Sequence, residues 1–245
     1  MARNDSIDMK KKFKGTGVAL VTPFKKDHSV DFDAFAKLLD FTINGGVDYL
    51  VVSGTTGESA TTTPDEKNKI LSSAIKHVNG RKPVVYGIGG NNTQAVIETI
   101  KNSDFMGVDA ILSVSPYYNK PTQEGIYRHY SEIAENCPVP VILYNVPGRT
   151  SSNITAETTV RLARHHNIIG IKEASGDLLQ CMQIVKNTNI SRQTAIRSLA
   201  KAQRTQSKNK KTLRTLPTLR LGEKKEDDFL VISGDDLLTV PMLSF

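Results

Sequence analysis

Two stretches decide the fold: VPVILYN at residues 139–145 and IIGIKE at residues 168–173. Both are apolar and rich in β-branched side chains, and neither alternates apolar with polar positions. That pattern belongs to strands buried on both faces, as in a parallel sheet. Their starts lie 29 residues apart, the length of one strand, one crossover helix and their loops. Similar runs begin near Gly17 (GVALVTPF), Tyr49 (YLVVSG), Pro83 (PVVYGIGG) and Ala110 (AILSVSP), and the spacings from Gly17 to Val139 are 32, 34, 27 and 29 residues.

The segments between these runs carry helix signals. Asp33–Asn44 places Phe35, Leu38, Leu39 and Thr42 at helical spacing and ends in Gly45-Gly46, suited to a left-handed cap. Thr63-Pro64-Asp65-Glu66 reads as a capping box with proline at the first helical position. Thr122, Thr155 and Asp177 are placed to cap the three later helices. Gly87-Ile88-Gly89-Gly90 lacks the third spaced glycine of a dinucleotide fingerprint. Regular alternation without that fingerprint favours an α/β TIM (β/α)8-type barrel, and the length of 245 residues is close to the roughly 250 typical of one.

After the sixth run the rhythm breaks. The next strand candidate, FLVISG from Phe229, begins 61 residues after Ile168. The reading is a polar N-terminal tail at 1–14 and six barrel units over 15–188. A basic low-complexity insert follows at 189–226, then a seventh strand and a truncated end at 227–245. Seven strands are recognisable and an eighth is not, so the sheet is expected to have open edges and the chain to be marginally stable, prone to aggregate or dependent on another fragment.

The chain holds 32 Lys and Arg against 25 Asp and Glu, a net charge of +7. Eleven of those basic residues and one acid lie between Ser191 and Lys225, leaving the rest with a net of −3. The charge therefore belongs to one segment. That segment lacks the interleaved aromatics of a single-strand nucleic-acid binder, so nucleic acid is not the expected partner. Cys137 and Cys181 stand 44 residues apart with no Cys-x-x-Cys, which excludes a disulfide framework and a zinc ribbon. No apolar run is long enough to span a bilayer and the start has no secretory pattern, so a cytoplasmic protein with no membrane partner is expected.

Chemistry concentrates where barrel strands end. Lys172 sits in an otherwise apolar strand, where desolvation disfavours the ammonium form and a neutral amine can attack a carbonyl. A snorkelling or salt-bridged lysine is the competing reading. Thr55 and Thr56 follow the second run and, with nearby amides, can bind a carboxylate. Tyr144 can shuttle a proton, and the fork of Arg149 suits a carboxylate. Tyr117 and Tyr118 follow the fourth run, where an interface aromatic pair is the alternative. The five histidines lack metal-ligand spacing, and adjacent His165 and His166 are expected to diverge, so no metal is expected.

GTTGES (54–59), SPYYNKP (115–121), YNVPGRT (144–150), GIKEASGD (170–177) and VISGDD (231–236) together resemble the dihydrodipicolinate synthase family of pyruvate-dependent lyase and aldolase barrels. The resemblance covers about Phe13 to Lys186 and Asp227 to Phe245. It implies a lyase that joins pyruvate to L-aspartate 4-semialdehyde and gives 4-hydroxy-tetrahydrodipicolinate, in the diaminopimelate route to lysine. By that resemblance Lys172 forms the Schiff base, Tyr144 is proton donor and acceptor, and Thr55 and Tyr118 complete a relay, Tyr118 from a neighbouring subunit. Thr56 holds the pyruvate carboxylate, Arg149 receives the semialdehyde's carboxylate, and Gly234 lines the pocket. It further implies no cofactor and a homo-oligomer, dimer or tetramer. Ser59, Ala60, Asn91 and Tyr117 match a lysine-regulatory pocket of some members, whereas Pro64 and Lys67 stand where such members can carry histidines. The alternatives are another lyase of the same kind, N-acetylneuraminate lyase-like, and a catalytically silent scaffold.

Overall fold

The computed structural model describes residues 12–188 and 229–234. The segment 189–226, which the sequence marks as a basic insert, lies outside them, as do the tail residues 1–11 and residues 235–245. Strand β1 is Gly17–Ala19, β2 Tyr49–Val52, β3 Val84–Gly87, β4 Ala110–Val114, β5 Val141–Asn145, β6 Ile168–Glu173 and β7 Leu230–Ser233. Helix α1 is Phe32–Asn44, α2 Pro64–Val78, α3 Thr93–Lys101, α4 Gln123–Asn136, the short α5 Pro147–Thr150 and α6 Ala156–Leu162; α7 comprises residues 178–188.

All seven strands are parallel and lie in the order β1-β2-β3-β4-β5-β6-β7. Each strand adds beside the one before it, which is the order of a barrel wall rather than of a sheet wound both ways from its middle. The sheet curls into an incomplete barrel, and no eighth strand lies among the described residues.

The missing polar alternation has its explanation in three apolar clusters. The concave face carries Tyr49 and Val51 of β2, Val85 of β3, Leu112 of β4 and Ile142 of β5. Phe13 packs into this cluster edge-on to Tyr49, with ring centroids 5.7 Å apart. The convex face carries the intervening residues: Leu50 and Val52 pack under α1 and α2, and Ile111, Leu143 and Ile171 pack under α3, α4 and α6. Both faces are covered, so both must be apolar.

The expected caps are present. The Thr63 side chain accepts from the Glu66 backbone N–H while Glu66 accepts from that of Thr63, closing the capping box. The Thr122 and Thr155 hydroxyls and the Asp177 carboxylate accept from Gly125, Thr158 and Gln180 respectively. Such caps are worth about 1 kcal/mol each. Asn92 caps α3 in the same way and was not among the expected caps. At the end of α1, Gly45 stays right-handed and Gly46, at φ 87°, takes the left-handed position. β3 and β5 begin after Pro83 and Pro140. Each proline offers only its carbonyl, which accepts from Leu50 and Ile111 respectively.

One irregularity sets the geometry at the strand ends. Between β5 and β6 the register shifts at Val141/Ile142, so that Val141 faces Ile168 but Ile142 faces Gly170. The extra residue, Ile169, packs into the concave cluster, while Ile168 and Ile171 face the convex one. A bulge of this kind re-aims every side chain beyond it. Beyond this one, Tyr144 pairs with Lys172 and Asn145 with Glu173.

Candidate active site

Tyr144 and Lys172 lie side by side at the C-terminal ends of β5 and β6. The Lys172 amine stands 4.8 Å from the centroid of the Tyr144 ring, within cation–π range. Tyr144 is buried and Lys172 half-buried. Gly234, directly after β7, donates its backbone N–H to the Glu173 carbonyl at 2.7 Å. A Cβ on Gly234 would lie 2.8 Å from the Ala174 Cβ and 3.1 Å from the Lys172 Cε. Glycine is therefore what lets β7 close against the lysine stem, and three of the expected site residues form one contact group.

A second group surrounds a cavity of about 640 Å³ over the ends of β2 to β5. Thr55, Tyr144 and Arg149 line it, as do Ser59, Asn91 and Tyr117. Tyr144 belongs to both groups and joins them. Thr55 and Thr56 are exposed on a turn that is held locally: the Gly57 N–H donates to the Gly54 carbonyl at 3.1 Å and the Glu58 N–H to the Thr55 carbonyl at 3.0 Å. The Thr22 hydroxyl donates to the Gly57 carbonyl at 2.7 Å and ties this turn to the chain beyond β1. Arg149 is exposed on α5, which begins at Pro147 and whose Thr150 hydroxyl is anchored on the Val146 and Ser152 carbonyls.

Lys172, Thr56, Tyr118 and Gly234 do not line the cavity. Tyr118 is 88% exposed and adopts a left-handed backbone with φ 71°, a strained conformation for a bulky residue. Among the described residues its ring does not join the other candidates.

Behind the pair lies a buried polar cluster that the motifs did not single out. Asn145 and Glu173 follow Tyr144 and Lys172 by one residue and so project to the opposite face of the sheet. Asn145 is fully buried and Glu173 only 2% exposed. The Glu173 carboxylate accepts from Asn145 Nδ2 at 2.9 and 3.0 Å, from Gln180 Nε2 at 3.0 Å and from the Ser175 backbone N–H at 2.8 Å. Asn145 and Glu173 could have been suspected as polar residues on the convex face of otherwise apolar strands. Asn153 and Gln180 carried no such signal.

Other reactive side chains are quiet. Burial pushes the Cys137 and Cys181 thiols up to about 11, and both are free and protonated near neutrality. Burial lowers His129 to about 4 and leaves it neutral, with Nδ1 2.8 Å from the Thr93 hydroxyl. The Tyr130 hydroxyl donates to the Ser113 carbonyl at 2.9 Å, and burial raises its pKa. His165 and His166 do not diverge: they stack with centroids 4.7 Å apart, because they occupy a turn before β6 rather than a regular helix or strand. Among the described residues no helix is long and apolar enough to cross a membrane.

Comparison with known proteins shows the family and the fold. The model of the dihydrodipicolinate synthetase family matches residues 12–196. A curated 4-hydroxy-tetrahydrodipicolinate synthase of Cytophaga hutchinsonii is 54% identical over 232 residues, covering 95% of this chain and 66% of the relative. The crystal structure of dihydrodipicolinate synthase from Thermotoga maritima matches with a TM-score of 0.78 and 36% identity, covering 95% of this chain and 68% of that one. The chloride-inhibited enzyme from Acinetobacter baumannii, complexed with pyruvate, matches with a TM-score of 0.70 and 44% identity, covering 71% of this chain and 60% of that one. The chain thus spans about two thirds of the length of such relatives.

Proposed function

Because this chain belongs to the dihydrodipicolinate synthetase family, we propose that it joins pyruvate to L-aspartate 4-semialdehyde through a Schiff base on Lys172. The observation that carries the reading is the Lys172 amine 4.8 Å from the Tyr144 ring at adjoining strand ends. The pyruvate complex of the Acinetobacter baumannii relative supports the choice of first substrate.

In this reading the neutral Lys172 amine adds to the pyruvate carbonyl, and loss of water leaves an imine. The protonated imine is the electron sink, so a proton can leave the pyruvate methyl group and the resulting enamine attacks the semialdehyde's aldehyde carbon. The substrate's own amine then displaces the lysine and closes the ring. No cofactor is needed because the imine supplies the sink.

Tyr144 is the proton carrier, placed between lysine and cavity. Thr55 shares the cavity with it and passes protons onward, and Thr56 holds the pyruvate carboxylate. Arg149, on the cavity wall, receives the semialdehyde's carboxylate through its rigid fork. Gly234 walls the lysine stem. The exposure of Tyr118 supports its completing the relay in a neighbouring subunit of a homo-oligomer.

The test is borohydride reduction in the presence of pyruvate, followed by peptide mass mapping. An N-carboxyethyl adduct on Lys172, absent from Lys172→Ala, is the expected result. A folded chain that gives no adduct is instead a scaffold without this chemistry. Turnover with aspartate semialdehyde, set against cleavage of N-acetylneuraminate, separates the synthase from the other lyases of this kind.

A further inference from the structure

We propose that Glu173 is a positioning residue for the lysine chemistry, holding Lys172 and Tyr144 in register through a buried hydrogen-bond clamp on the opposite face of the sheet. The inference rests on the Schiff-base reading of Lys172. Its geometric basis is the pairing beyond the β5–β6 bulge, where Tyr144 faces Lys172 and the next residues, Asn145 and Glu173, face each other.

The clamp ties together four segments drawn from two stretches that are distant in sequence, residues 145–154 and 173–180. The Glu173 carboxylate receives Asn145 from β5, Gln180 from α7 and the backbone N–H of Ser175 at the exit of β6. The fourth segment precedes α6: Asn153 accepts from Asn145 Nδ2 at 2.7 Å and donates to Gln180 Oε1 at 2.8 Å. The Ile154 backbone N–H completes the set by donating to Asn145 Oδ1 at 2.9 Å.

A carboxylate is suited to this place because it only accepts. Each surrounding amide therefore has one orientation that satisfies it, and the network has one arrangement rather than several. Burying a carboxylate is costly, and an apolar pair could fill the same space without that cost. What the apolar pair could not do is fix the angle between β5 and β6 at their last residues. Lys172 is one peptide unit from Glu173, and Tyr144 one from Asn145. A small tilt on the convex face becomes a displacement of the amine relative to the ring and the cavity on the concave face.

The experiment follows pyruvate trapping by borohydride in the whole chain, with folding checked by circular dichroism and thermal unfolding. The variants are Glu173→Gln, Gln180→Met and the double variant Glu173→Gln/Asn145→Asp. Glu173→Gln turns an amide N–H against donors and is expected to slow trapping at saturating pyruvate by about 10- to 100-fold, the scale of a misplacement near 1 Å. The half-saturating pyruvate concentration should move less than about threefold, since this is a loss of orientation rather than of binding. Gln180→Met removes one donor and should slow trapping about 3- to 10-fold. In the double variant the new carboxylate on β5 accepts from the new amide on β6. That exchange should restore the rate to within about fivefold of the unsubstituted chain, whereas a merely structural loss would not be repaired.

Trapping by folded Glu173→Gln within about twofold of the unsubstituted chain overturns the proposal, as does a loss that the double variant leaves unrepaired. If Glu173→Gln does not fold, Gln180→Met decides, and an unchanged rate there also overturns it. An unsubstituted chain that traps no pyruvate overturns the Schiff-base reading itself, and this inference with it.

Discussion

The two ends of the candidate site are built differently. At the ends of β5 and β6 the reactive side chains are set by tertiary contacts: a bulge fixes which residues face each other, a buried carboxylate clamps their neighbours, and Gly234 closes against the lysine stem. At the end of β2, Thr55 and Thr56 stand exposed on a turn held mainly by backbone bonds between near neighbours in sequence, with one bond from the Thr22 hydroxyl. The first arrangement suits groups whose separation must be kept while bonds form. The second suits groups that only need to present hydroxyls and amides to a carboxylate. Substitutions in the buried polar network behind the first region should therefore disturb chemistry and folding together, whereas those at Lys172, at the Tyr144 hydroxyl and in the second region should disturb chemistry alone.

The largest effect expected is at Lys172. Lys172→Ala should abolish pyruvate trapping while the chain stays folded, and an adduct that persists on another lysine would break the comparison at its centre. Tyr144→Phe keeps the buried ring and removes the hydroxyl, so turnover should fall by about 10²- to 10⁴-fold with little change in thermal unfolding.

His129 tests burial away from the site. Its folded pKa, about 4, lies below the usual value of 6.5 because burial disfavours the charged ring. The unfolded chain binds a proton first as pH falls, so this contribution is complete above pH 6.5 and is lost as pH drops toward 4. The loss is of the order of 3 kcal/mol. Thermal unfolding followed from pH 7 to pH 4 should fall less steeply in His129→Gln than in the unsubstituted chain.

Thr55→Val should lower turnover about tenfold, near 1.4 kcal/mol, with stability changed by no more than about 0.5 kcal/mol. A large loss of stability there would show that the turn is not self-held. The smallest effect belongs to Thr63→Ala, which opens the capping box of α2, should cost about 1 kcal/mol in denaturant unfolding, and should leave trapping unchanged.

The β2 region was the more legible one. Apart from the Thr22 tie, its bonds run between residues a few positions apart, so the order of residues already describes most of the turn. The strand starts at Gly17, Tyr49, Ala110 and Ile168 were legible for a related reason: a strand covered on both faces must be continuously apolar. The β5–β6 region was legible only in its ingredients. Lys172 and Tyr144 could be picked out, Glu173 and Asn145 carried only the weak signal of polar residues in apolar strands, and nothing in SSNIT or GDLLQ points Asn153 and Gln180 at them. Tyr118 was likewise nameable from its motif, while its exposure depends on how its loop leaves β4.

By itself the sequence determined the class of fold and the residue types available for carbonyl chemistry, because periodicity, caps and turn residues act over short stretches of chain. The family came from the resemblance of its motifs. Tertiary structure alone decided that Lys172 lies beside Tyr144, since one extra residue in the β5–β6 pairing changes which side chains meet. It alone decided that a buried carboxylate stands behind them, because its bond to Asn145 joins strands whose proximity exists only once they have paired.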